Sequence, residues 1–199
     1  MHIKWFTVTL PILFSLVASC VSTPPPKPKP VKERVAAKYN EIRNKRYVVF
    51  IEEESGVRSK TARIVEARIR STMTRKGLTV VDFHQSSVAN YLRADGRITD
   101  SFAKSVASTA DLIIAGRIDV ENIDDADING GKDGTYRSRI TSSLAITESN
   151  SAIEKARLEE VEVQELAKTH KSATKHAAKS LGTALGEAVI GKLLYVYKD

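Results

Sequence analysis

The segment Ala110-Asp111-Leu112-Ile113-Ile114-Ala115-Gly116-Arg117-Ile118 holds a fully apolar stretch, Leu112 to Ala115, and continues through Gly116 to Val120 or Ile123. A short apolar run of this kind reads as a strand. Ahead of it, Thr99 or Asp100 can cap a helix with Phe102, Ala103, Val106 and Ala107 on one side, and Ser86 or Ser87 can cap another through Leu92, broken near Gly96. Leu78 to Phe83 is expected as a strand. Ser59 to Lys76 shows helical spacing, with Ala62, Val65, Ile69 and Met73 recurring at three and four residues. Arg75 and Lys76 fall in its last turn and Gly77 follows, a C-terminal signature. Arg46 to Glu52 is another apolar, β-branched run, ended by Glu53, Glu54, Ser55 and Gly56. Its three glutamates read as a solvated strand end. The order is strand-helix-strand-helix-strand, the pattern of a parallel or mixed sheet flanked by helices.

Beyond the opening segment the style changes. Asp124 to Thr135 is rich in Asp, Asn and Gly, a turn composition. Tyr136 to Thr147 alternates, with Ile140, Leu144 and Ile146 on one face and Arg139, Thr141 and Ser143 on the other. After a turn at Ser149–Ser151, Lys155–Glu165 places Ala156 and Leu158 in one phase and Val161 and Val163 in the other. That slip predicts a bulge near Glu159–Glu160. A helix from about Ser172 to Leu194 closes the chain, its stripe being Ala177, Leu181, Ala184, Leu185, Ala188, Val189 and Leu193. The fold class is therefore α/β. A mixed sheet of about five strands is expected, built as β-α-β-α-β followed by antiparallel hairpins and a C-terminal helix.

The first twenty residues have another origin. A basic start, Met1 to Lys4, precedes an apolar run from Trp5 to Val17, and Ala18, Ser19 and Cys20 follow. These are the marks of a secretory signal, and the run is shorter than the roughly 20 residues a bilayer span needs. Val17-Ala18-Ser19-Cys20 resembles the lipobox of bacterial lipoproteins, which implies cleavage before Cys20 and acylation of its thiol. In such lipoproteins an Asp after the cysteine retains the protein in the inner membrane. Val21 stands there instead, which implies the outer membrane. Five of the six prolines lie between Pro24 and Pro30, interleaved with lysine. Such a run favours polyproline II and acts as a semi-rigid spacer. The expected division is 1–19 signal peptide, 20–44 lipidated cysteine and Pro/Lys tether, and 45–199 one periplasmic domain.

Charge follows the same division. The formal charge of +7 arises within residues 1–46, where nine Lys/Arg face two acids; the remainder carries 22 of each sign. A neutral folded domain argues against nucleic-acid binding, which needs clustered cations on the folded surface. The basic tether suits an anionic membrane or wall. Cys20 is the only cysteine, so stability must come from a packed core rather than from disulfides.

Several clusters carry candidate chemistry. Asp125-x-Asp127-x-Asn129-Gly130 matches the opening of a calcium loop, with Asp133 at the ninth position, but Tyr136 replaces the twelfth-position glutamate. A polar hairpin turn accounts for the same residues. Asp82, His84, Ser86 and Ser87 lie close together without a nucleophile elbow, and helix capping explains them. Lys168, Lys171, Lys175 and Lys179 recur at three or four residues and form one ridge on a helix, with His176 nearby. The ridge could meet anionic lipid or peptidoglycan; a solvated helix face is the simpler account. Gly182 and Gly186, four apart, are expected to pack closely on the sheet. No cofactor is expected.

The opening segment, a small residue and Asp leading into an apolar strand, then Gly and a polar residue, resembles a strand shared by a group of envelope proteins. The group comprises the N-terminal domain of the Tol-system beta-propeller protein, the curli secretion-channel lipoprotein, the middle domain of a flagellar T-ring protein, and lipoprotein activators of penicillin-binding proteins. The resemblance implies an anticodon-binding-domain-like α/β sandwich over roughly Tyr47 to Leu194. The chain departs from the curli channel in lacking long transmembrane hairpins, and from the activators in its short tether. The expected function is a non-catalytic protein-interaction module, lipid-anchored on the periplasmic face of the outer membrane, in assembly or regulation of an envelope machine. The alternative is a regulator of peptidoglycan synthesis that touches the wall or a penicillin-binding protein, and an envelope hydrolase is a further one. A homo-oligomer is compatible with all three.

Overall fold

The computed structural model describes residues 31–56, 58–83, 91–93, 96–124 and 135–197. Within them the order is α1 (Val31–Arg43), β1 (Arg46–Glu53), α2 (Lys60–Arg75), β2 (Thr79–Val80), α3 (Asp100–Val106), β3 (Leu112–Asp124), β4 (Tyr136–Glu148), β5 (Glu154–Ala167) and α4 (His170–Val196). The five strands form one mixed sheet in the order β2-β1-β3-β4-β5. β1 is parallel to both β2 and β3, whereas β3–β4 and β4–β5 are antiparallel. This is the α/β mixed sheet that the periodicities predict.

The pleat sorts the side chains between two cores. Tyr47, Val49 and Ile51 of β1, Leu112, Ile114 and Ile118 of β3, and Ile140, Leu144 and Ile146 of β4 face α2 and α4. On the other face, Val48 and Phe50 of β1 join Ile113 and Ala115 of β3 under α3. There Phe50, Tyr91, Phe83 and Phe102 form an aromatic cluster with ring centroids 4.1 to 5.7 Å apart. The opening strand β3 is thus covered on both faces, which is why its apolar run is unbroken. β4 alternates because the second core takes strand residues from β1 and β3 and none from β4.

Local chemistry sets the ends of the elements. Ser59 caps α2 by accepting from the Ala62 amide, Thr99 caps α3, and Thr169 caps α4 by accepting from the Ser172 amide. The slip in β5 is a bulge: Ser142 pairs with Val161 and Leu144 with Leu158, so Glu159 and Glu160 together oppose Ser143, and Glu160 takes a positive φ of 53°. The extra residue returns Val161 and Val163 to the core face that Leu158 occupies.

The structure corrects four readings. The tether expected up to residue 44 gives way to helix α1, whose last turn belongs to the domain. Ile42 is fully buried, the Tyr39 hydroxyl donates to the Lys76 carbonyl at 2.6 Å, and the Tyr47 hydroxyl donates to the Ile42 carbonyl at 2.7 Å. The strand expected over Leu78–Phe83 shortens to Thr79–Val80, although Val81 still donates to the Tyr47 carbonyl and Val81 and Phe83 pack on the aromatic side of the sheet. Glu52 is not a solvated strand end: it is buried and pairs with Arg117 at 2.9 Å, the residue opposite it on β3. Gly182 and Gly186 close on α2 rather than on the sheet, against Val65, Arg68 and Thr72. With them the buried face of α4 turns to include Ala178 and Ile190, and Ala184 is left exposed. The helix expected from Ser86 or Ser87 lies mostly outside the described residues; Leu92, at its expected end, forms a bridge with Ile98.

Candidate functional site

Packing α4 across α2 sets their first turns side by side, next to the far end of β3. Between them is a cavity of about 330 Å³. α2 contributes Lys60, Thr61 and Ile64; α4 contributes His170, Lys171, Thr174 and Lys175; β3 contributes Asn122. The His170 ring rests on Tyr136 at the start of β4, with centroids 4.2 Å apart. The Thr174 hydroxyl lies 2.9 Å from both Asn122 Oδ1 and the His170 carbonyl, tying α4 to the end of β3.

The electrostatics are one-signed. Lys60, Lys171 and Lys175 bring three ammonium groups to the rim, and no carboxylate lines the cavity. Among the described residues none of the three forms an ion pair. The wall beneath is largely hydrocarbon: Ile64, the threonine methyls and the lysine stems. An arrangement of this kind suits binding; it holds no paired acid and base for proton transfer.

Of the lysine ridge, Lys171 and Lys175 are exposed on α4 and reach the cavity. Lys168 precedes the helix cap and Lys179 is half-buried a turn further on; neither lines the cavity, and His176 is exposed beside them. Sequence spacing alone missed Lys60, Thr61 and Asn122, which reach the same place through the fold. The available signal was a lysine in the first turn after each cap, Lys60 one residue after Ser59 and Lys171 two after Thr169.

Other candidates separate. Asp82 pairs with Arg70 across the surface, while His84, Ser86 and Ser87 lie outside the described residues, as do Cys20 and the calcium candidates Asp125, Asp127, Asn129 and Asp133. Among the described residues no group of three His, Cys, Asp or Glu could hold a metal ion, and no helix is long and apolar enough to cross a membrane.

Two remaining buried charge sites are structural. Glu66 receives Arg58 at 2.7 and 2.8 Å and sits 3.9 Å from Arg70. With the Glu52–Arg117 pair, it closes the two flanks of β1.

The chain matches no family model, and no curated protein matches it by sequence. Solved structures of similar fold include a candidate lipoprotein from Caulobacter crescentus, 4% identical over 83% of this chain and 99% of that one, with a TM-score of 0.46. Lipoprotein GNA1162 from Neisseria meningitidis is 13% identical over 75% of this chain and 98% of that one, TM-score 0.42. The PelC dodecamer from Paraburkholderia phytofirmans is 9% identical over 70% and 86%, TM-score 0.38.

Proposed function

We propose that the chain is an envelope lipoprotein, acylated at Cys20 and held on the periplasmic face of the outer membrane. Its domain acts as a non-catalytic protein-interaction module in the assembly or regulation of an envelope machine. The observation that carries this reading is the join between the lipobox-like N-terminus and the domain. α1 seats its last turn against the C-terminal end of α2, where Arg43 Nε donates to the Gly77 carbonyl at 3.4 Å. Residues 21–30 and the undocked turns of α1 then make up the spacer: ten residues reach at most about 35 Å even fully extended, and helix adds about 1.5 Å per residue. Such a leash holds a body near a membrane and leaves it free to meet a partner.

Site-specific photocrosslinkers at exposed positions, placed in cells expressing the full chain, test the proposal. Discrete protein adducts are expected; adducts with lipid alone, at every position, would contradict it.

The lysines support a second reading, a regulator that touches peptidoglycan. The cavity lies at the start of α4, whereas the α1 seat lies toward its end, and 27 residues of helix span about 40 Å. The cationic end therefore faces away from the seat. Sedimentation with purified sacculi, lost when Lys168, Lys171, Lys175 and Lys179 are changed to Gln, is the expected result. Unchanged sedimentation would end this reading.

A further inference from the structure

We propose that the cavity between the first turns of α2 and α4 binds a small organic anion, a carboxylate or phosphate carried on a short aliphatic body. Three observations carry it together. The first is charge. Two other hollows of the surface contain both signs, Arg117 with Glu54, Asp119 and Glu160 in one, and Arg93 and Arg97 with Asp100 and Glu154 in the other. The latter balances, two of each sign, and the former is acidic, with three carboxylates around one guanidinium. The α2–α4 cavity gathers Lys60, Lys171 and Lys175 with no acid in its lining. Lys171 and Lys175 are four residues apart on one helix, a spacing at which like charges repel, and the fold adds Lys60 to them.

The second is shape and lining. At about 330 Å³ the cavity falls at the small end of ligand sites. Its wall of Ile64, threonine methyls and lysine stems favours an aliphatic group over a bare inorganic ion. Asn122 and Thr174, fixed to each other, offer polar contacts at the β3 side.

The third is the backbone. The caps Ser59 and Thr169 answer the amides of Ala62 and Ser172. Lys60, Thr61 and Lys171 precede those amides, at positions whose N–H groups have no acceptor within their own helix. All three residues line the cavity. The site belongs to the folded domain and does not depend on acylation, so its test is separate from that of the anchor.

The test uses the full chain in neutral detergent with isoleucine δ1-methyls labelled for NMR, reading Ile64. The probes are 4-methylpentanoate, butyl phosphate, inorganic phosphate and the uncharged 4-methylpentanamide. Ile64 is expected to move saturably with the two organic anions, and the tighter of them identifies the head group. Affinity should fall about tenfold for the amide, and about tenfold in the Lys171→Gln/Lys175→Gln variant, as loss of charge-assisted hydrogen bonds requires. These lysines are exposed, so the variant should fold, with the Ile113 and Ile146 methyls unmoved as the check. No saturable movement of Ile64, equal binding of the amide, or unchanged affinity in the variant would overturn the site. Inorganic phosphate binding as tightly as butyl phosphate would overturn the aliphatic part of the ligand.

Discussion

Adding one methyl group at Gly182 or Gly186 should loosen the domain, although alanine favours a helix over glycine. A Cβ at Gly182 would lie 2.5 Å from Arg68 Cβ and 2.7 Å from the Val65 carbonyl oxygen; at Gly186 it would lie 2.7 Å from Thr72 Cβ. These obstacles are backbone or Cβ atoms, which cannot swing aside. Ordinary carbon contacts lie at about 3.5–4.0 Å, so α2 and α4 must part by about 1 Å, forfeiting dispersion along their shared face. Overpacking of this kind costs roughly 1–3 kcal/mol, offset by up to about 1 kcal/mol of helix propensity. Each substitution should therefore destabilise by up to about 2 kcal/mol, and the pair by less than the sum, since one parting of the helices serves both. In a chain of this length that lowers Tm by up to roughly 8 °C. Gly191 is the control: it lies on the same helix, and a Cβ there would meet nothing within 4 Å. Gly191→Ala should be neutral or stabilising by up to about 1 kcal/mol. Thermal and urea unfolding of the three variants measures this. If Gly182→Ala and Gly186→Ala were as stable as Gly191→Ala, the close crossing of α2 and α4 would be refuted.

Three further outcomes follow from the same contacts. Arg117→Leu strands the buried Glu52 carboxylate and should cost about 3–5 kcal/mol, with most of it recovered in Glu52→Leu/Arg117→Leu; urea midpoints decide, and a neutral single variant would refute the pair. Tyr39→Phe removes the bond to the Lys76 carbonyl and should cost about 0.5–1.5 kcal/mol while hastening amide exchange in the last turn of α1, which unchanged exchange would contradict. Burial first, then neighbouring acidic groups, hold the Tyr47 and Tyr197 phenols above the ordinary tyrosine value. The folded chain keeps these protons after the unfolded chain has released them. Stability should thus be whole below about pH 10 and fall above it, by up to about 1.4 kcal/mol per pH unit for each group. Unfolding measured against pH should show a shallower fall in Tyr47→Phe; an identical slope would remove Tyr47 from the cause.

Much of the fold is written in side-chain periodicity because burial is what periodicity records. Ala62, Val65, Ile69 and Met73 are all fully buried, and the phase slip at Glu159–Glu160 marks the bulge because core-facing residues must resume their side. What eluded the sequence was pairing between distant elements. A glycine pair signals close approach but not its partner, so the sheet was expected where α2 stands. Glu52 looks like one of three solvated acids until Arg117 arrives from a strand 65 residues away. α1 shares the basic composition of the spacer ahead of it, and its docking shows only in the contacts of Tyr39, Ile42 and Arg43. The cavity was half legible: Lys171 and Lys175 could be placed on one helix face, whereas Lys60 meets them only after α4 has crossed α2.

Mass spectrometry of the N-terminus of the full-length product, purified from membranes, bears most directly on the proposed anchor. A mature chain that begins at Cys20, carries fatty acyl groups and has lost Trp5 is the expected result. An unacylated chain beginning at Met1 would contradict the anchor and the envelope role built on it.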